Sequence, residues 1–198
     1  MKKLVASFFI VSLSIAAKSQ EAKPQLLKEP ANWTFERFTL PPEFAPGFPY
    51  KGVEELRFSP GMFNKDSTTY FTYAFVAKLD NVTAISQNEI RDYLLEYFKG
   101  LCSRTAKDRK LVIDTTQITV MVEKKKPIKA NQIIYNASLN IFGVFADGAS
   151  VKLNMEVKVL MKAAAKEVYL IFIASPREKM DAVWKKLYEI QKEFKMPG

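Results

Sequence analysis

The clearest signal along the chain is a change in the period of its apolar residues. Ile90, Tyr93, Leu94, Tyr97, Phe98, Leu101 and Cys102 follow the i, i+3, i+4, i+7, i+8 spacing of one helix face, with Arg91, Asp92, Glu96 and Lys99 opposite. Ser86-Gln87-Asn88-Glu89 in front of them reads as a capping box. In such a box the Ser hydroxyl accepts from the Glu amide, and the Glu carboxylate accepts from the Ser amide. A second helix is predicted from Ser175, with Pro176 at its first position and Glu178 closing another capping box. Met180, Val183, Trp184, Leu187, Tyr188 and Phe194 form its apolar stripe, and Lys179, Lys185, Lys186, Glu189 and Lys192 face water.

Elsewhere the period is two. Val151–Lys162 and Ile133–Phe145 alternate apolar with polar residues, and Ala146-Asp147-Gly148-Ala149 between them reads as a hairpin turn. Val168–Ala174 is apolar at every position, which places it at the centre of a sheet. Further strands are predicted over Trp33–Thr39, Glu54–Ser59, Thr69–Leu79 and Gln117–Glu123, with an irregular Pro- and Gly-rich loop over Pro41–Gly52. The order is βββ-α-ββββ-α. The fold class is therefore α+β: a two-layer sandwich of a mainly antiparallel sheet with both amphipathic helices on one face.

The first residues carry a different pattern. Lys2 and Lys3 precede the apolar run Leu4–Ala17, and Ala17-Lys18-Ser19 offers small residues at the positions a signal peptidase reads. The run falls short of the roughly 20 residues that span a bilayer. Residues 1–19 are expected to be a cleaved signal peptide, 20–31 a flexible lead-in, and 32–198 a single α+β domain. Cleavage removes three lysines and no acids, leaving 179 of 198 residues with 27 basic against 21 acidic groups. The expected location is the periplasm or the cell exterior, and the mature chain is not expected to span a membrane.

Composition narrows the chemistry. The chain has no His, which removes the usual imidazole base and the Ser-His-Asp and Cys-His nucleophile arrangements. Its single Cys102 cannot form an internal disulfide, and it lies in phase with Leu94 and Phe98, as a core thiol would. No calcium-loop, P-loop or dinucleotide-binding pattern occurs, so no cofactor or metal is expected. Adjacent Glu54 and Glu55 point to opposite faces of a strand and cannot act as a catalytic pair. Glu36, Glu43, Asp66 and Asp80 meet another acid only if the tertiary fold brings them together.

The candidate ligand-binding residues are Tyr50, Glu55, Arg57, Tyr70 and Tyr73. Glu55 and Arg57 share a strand face, where they neutralise each other or hold an anion in a two-pronged contact. Tyr73 belongs to the row Phe71, Tyr73, Phe75, opposite Tyr70, Thr72, Ala74 and Val76. That row is either open to water or covered by the 41–52 loop, with covering expected. Basic clusters at Arg104, Lys107, Arg109 and Lys110, and at Lys124–Lys126 with Lys129, suggest an anionic surface as partner. An exported chain is not expected to meet nucleic acid.

Phe44-Ala45-Pro46, then Tyr50-Lys51-Gly52-Val53-Glu54-Glu55-Leu56-Arg57-Phe58-Ser59-Pro60-Gly61-Met62-Phe63, resembles an uncharacterised family of exported bacterial proteins. Tyr97-Phe98-Lys99-Gly100-Leu101 resembles a second block of it. The resemblance implies export and a common fold, and no activity. The terminal strand running into SPREKMDAVWKKLYEI is similar to the end of exported PsbP-like domains, which are non-enzymatic α/β sandwiches. The function expected from all of this is a non-catalytic binding module for a protein or envelope component. The alternatives are a carboxylate-dependent hydrolase on envelope or extracellular polymers, and a carrier of a small apolar ligand.

Overall fold

The computed structural model describes residues 26–126 and 133–197. The signal peptide expected over 1–19, the start of the lead-in and Lys129 lie outside the described residues. Seven strands and two helices follow the expected order: β1 (Thr34–Leu40), β2 (Lys51–Phe58), β3 (Tyr73–Asp80), α1 (Gln87–Arg109), β4 (Thr119–Lys124), β5 (Ile133–Phe142), β6 (Ser150–Lys162), β7 (Glu167–Ser175) and α2 (Ala182–Glu193). The strands form one antiparallel sheet in the order β1-β2-β3-β7-β6-β5-β4. The all-apolar β7 sits at its middle.

Alternation along β3 and β7 separates two cores. Tyr73, Phe75, Leu170 and Phe172 point to the face that meets Ile90, Tyr93, Leu94 and Tyr97 of α1. Ala74, Val76, Ile171 and Ile173 point to the other face, against Trp184, Leu187 and Ile190 of α2. The two helices therefore lie on opposite faces, and the expected two-layer arrangement with both on one face is corrected to three layers. The physical reason is β7 itself, since a strand apolar on both sides needs cover on both. At the sheet centre Phe75 and Phe172 are cross-strand partners, with ring centroids 4.1 Å apart.

Two element starts also move. Ser86 caps α1 with both bonds of the capping box, as expected. The second helix begins only after Asp181, whose carboxylate accepts from the Val183 amide. Ser175 instead ends β7; its hydroxyl bonds Thr72 at 2.8 Å and accepts from the Arg177 amide. Residues 176–181 fold back so that the Trp184 indole donates to the Arg177 carbonyl at 2.9 Å, which leaves Met180 fully exposed instead of on the stripe. β3 begins at Tyr73 because Phe71 adopts φ 49° and donates its amide to Met62, breaking the alternation expected from Thr69.

The aromatic row lies under α1, where Phe75 stacks on Tyr97 at 6.0 Å, and the β1–β2 loop that was expected over the row packs on the tyrosines of that helix. Phe48 packs edge-on against Tyr93 at 4.4 Å, and Phe44 against Tyr97 at 5.0 Å. A Cβ on Gly100 would stand 2.2 Å from the Phe44 carbonyl oxygen, so only glycine lets α1 approach this loop. Gly100→Ala is expected to destabilise the fold by about 2 kcal/mol. Intrinsic helix propensity alone would stabilise it by about 1 kcal/mol. Urea denaturation of the two proteins reads the sign, and a more stable variant would show that the contact is soft.

Candidate functional site

The chemistry of the chain concentrates on β2, where neighbouring residues serve different faces. Val53, Glu55 and Arg57 point toward the α2 side, and Glu54 and Leu56 toward the α1 side. The candidate ligand-binding residues therefore do not assemble into one site. Tyr50, Tyr70 and Tyr73 belong to the α1-side core, while Glu55 and Arg57 lie under the sheet's other face. Tyr70 and Tyr73 are buried, and Tyr73 stacks on Phe75 at 5.7 Å. Tyr50 is half-buried against Phe48 and Tyr93, and burial, then the nearby Glu89 carboxylate, pushes its phenol above the usual range. Rings from α1, the loop and the sheet pack around these tyrosines.

On the α2 side, Glu55 and Arg57 hold the segment that leads into β1, residues 26–33. The Glu55 carboxylate is completely buried; it accepts from the amides of Leu26 at 2.8 Å and Leu27 at 2.9 Å, and it pairs with Arg37 of β1. The Arg57 guanidinium donates to the carbonyls of Leu27, Lys28 and Trp33 at 3.0, 2.9 and 3.1 Å, and lies 4.8 Å over the Phe35 ring. Leu27 and Trp33 are buried in the α2-side core. The flexible lead-in expected over 20–31 is thus, over residues 26–31, a strap fastened to the sheet. The reason is that its backbone groups satisfy two ionised side chains that water does not reach.

Glu54 is the residue whose role reasoning from the sequence missed. It is fully buried, and its two oxygens accept from the hydroxyls of Tyr93 and Tyr97, each at 2.8 Å. Those tyrosines are four residues apart and so share a face of α1. Burial pushes the Glu54 carboxyl up to about 8; the two phenol hydrogen bonds oppose that rise and the nearby Glu36 carboxylate adds to it. Burial first, then the Glu54 charge, holds the Tyr93 and Tyr97 phenols well above their usual range. The available signal was a carboxylate sharing a strand face with Leu56 and Phe58, opposite a helix with two tyrosines on its apolar stripe.

Several of the remaining candidates have structural partners. Cys102 is buried and makes no disulfide, and burial pushes its thiol up to about 11. Of the basic clusters, Arg104 pairs with Asp108, Arg109 donates to the carbonyls of Phe145 and Ala146, and Lys125 pairs with the buried Glu156. Among the described residues no group of His, Cys, Asp and Glu could hold a metal ion, and no helix is long and apolar enough to cross a membrane. No family model, curated protein or solved structure matches the chain.

Two outcomes test this geometry. Glu54 carries a folded-state value of about 8 against an ordinary 4.5, so its contribution is fully present below 4.5 and lost as pH rises through 8. Between those limits the native protein should lose of the order of 4 kcal/mol of stability relative to Glu54→Gln. Paired denaturation curves from pH 4 to 9 measure the difference, and parallel profiles would contradict it. Arg57→Ala, which leaves the buried carbonyls of Leu27 and Trp33 and the part-buried one of Lys28 without their donor, should cost about 3 kcal/mol. Hydrogen exchange should rise first at Leu26–Trp33; unchanged protection there would show that the strap is held by its apolar residues alone.

Proposed function

We propose that this chain is an exported, non-catalytic binding module of the periplasm or the cell exterior, whose partner is a protein or another envelope component. One observation carries the reading. The ionisable groups best placed for acid-base chemistry, Glu54, Glu55 and Arg57, are buried and spend their hydrogen bonds on holding α1 and the strap. A hydrolase of the two-carboxylate kind needs both acids open to one cleft, about 5–10 Å apart. Glu36 and Glu54 share the α1 side of neighbouring strands, but two phenols seal Glu54.

The blocks that carry the resemblance to exported bacterial proteins also support a common scaffold. Glu54 from the first block bonds Tyr97 from the second, and the Phe44 carbonyl rests on Gly100. Those residues meet to join the loop, the strand and the helix, which is a fold-building role.

Two measurements test the proposal. Intact-mass analysis of the chain recovered from the periplasm or medium should give a polypeptide starting at Gln20. Recovery only in the cytosol, with Met1 retained, would refute export. Incubated with chromogenic glycoside, ester and peptide substrates, the mature protein should show no turnover above buffer. Saturable turnover that Glu54→Gln abolishes, with the fold intact by circular dichroism, would make the chain an enzyme.

A further inference from the structure

The sheet is open, and its last strand β4 has one neighbour, β5. The ladder shows which of its backbone groups face outward. The Lys125 amide donates to Ile134 at 2.8 Å, in register with the β4–β5 pairs, so Lys125, Glu123 and Met121 spend their backbone groups on β5. Val120, Val122 and Lys124 alternate with them and point away from the sheet. One outward group is capped: the Gln87 side chain of α1 donates to the Val122 carbonyl at 2.9 Å. The outward amide and carbonyl of Val120 and the amide of Val122 have no hydrogen-bond partner among the described residues.

Along this edge runs a groove of about 390 Å³, with Val120–Glu123 as one wall and Gln87, Asn88 and Arg91 of α1 as the other. Edges of this kind are normally blunted by a bulge, a proline or a covering element, because they template further strands. Among the described residues β4 carries none of these; its outward backbone is guarded by the Gln87 side chain, and its charges, Glu123 and Lys124, stand at its end. Met121, on the face away from α1, is 64% exposed.

We propose that the β4 edge is a polypeptide-binding site, at which a single extended segment of a partner protein adds as an eighth strand between β4 and the first turn of α1. The recognition is mainly through main-chain hydrogen bonds to Val120 and Val122, as in other strand-addition modes. The start of α1 at this edge selects a lone strand over a second copy of this chain. A two-fold axis pairing two β4 edges antiparallel stands perpendicular to the sheet and keeps each face on its own side. It would therefore drive the α1 of one copy against the α1 of the other, where Gln87 already overhangs the edge. A lone strand brings no helix. The inference rests on the reading of the chain as a binding module and names its class of partner.

The test uses the mature protein and an acetylated, amidated hexapeptide of alternating threonine and valine, followed by amide chemical shifts. Saturable shifts are expected at Val120, Val122 and Lys124, and none with the same peptide N-methylated throughout. Val120→Pro removes an outward amide without touching the β5 ladder and should weaken binding about tenfold or more. Gln87→Ala frees the Val122 carbonyl and should tighten it. Binding that survives N-methylation, shifts confined to another surface, or no binding even with Gln87→Ala would overturn the proposal. So would self-association of the peptide-free chain that Val120→Pro abolishes, which assigns the edge to a second copy. Any of these leaves the substrate panel as the separate judge of whether the chain is a binding module or an enzyme.

Discussion

Alternation along β2 sends the carboxylates of Glu54 and Glu55 to opposite faces of the sheet, and both faces are dry there. A carboxylate without water must be neutralised, paired or saturated with hydrogen bonds. The two residues meet that demand in different ways, and each way fastens a different covering layer. Glu54 takes hydrogen bonds from two phenols one helical turn apart, which fixes the rotation of α1 over the sheet. Glu55 takes two backbone amides and an arginine, which fixes the strap. Arg57, two residues on and on the same face as Glu55, completes the strap by binding three of its carbonyls.

The cover those contacts secure is uneven, and the sequence of each strand follows it. In the middle of the sheet β3 and β7 are apolar on both sides, between α1 with its loop on one face and α2 with the strap on the other. Toward β6 and β5 the α1 side stays apolar, with Leu153, Met155, Val157 and Leu139 buried. The opposite side turns polar, with Lys152, Asn154, Lys158, Asn136 and Ser138 at the surface or half-buried. α2 packs on β7 and β3, and its side of β5 and β6 is partly open to water. The sheet ends at β4 with an edge guarded on one side only, by the start of α1.

This distribution explains why the chain's most individual sequence stretch holds structure together instead of presenting chemistry to solvent. Aromatic and charged side chains in Tyr50–Phe63 look like a ligand pocket when read as a list. In three dimensions they close joints between β2 and its neighbours. The same holds for two of the basic residues that suggested an anionic partner. Arg109 holds the β5–β6 turn, and Lys125 neutralises Glu156, a carboxylate buried in the middle of β6. The proposed site at the β4 edge uses backbone groups instead, which no pattern of side chains announces.

Whatever neighbours a few residues apart govern was legible along the chain. Period-two runs located the strands, the capping box located the start of α1, and an unbroken apolar run put β7 at the centre of the sheet. The same logic separated Glu54 from Glu55. It failed where a distant contact overrode a local preference. Ser175 has the residue type and spacing of a helix cap, yet Thr72, 103 residues away, claims its hydroxyl, and Asp181 takes over the cap. Only the tertiary structure decided which face each helix covers, that residues 26–31 are bound, and that Glu54 meets Tyr93 and Tyr97. Periodicity reports that a face is buried but not by what, because the identity of the covering element depends on how the chain returns through space.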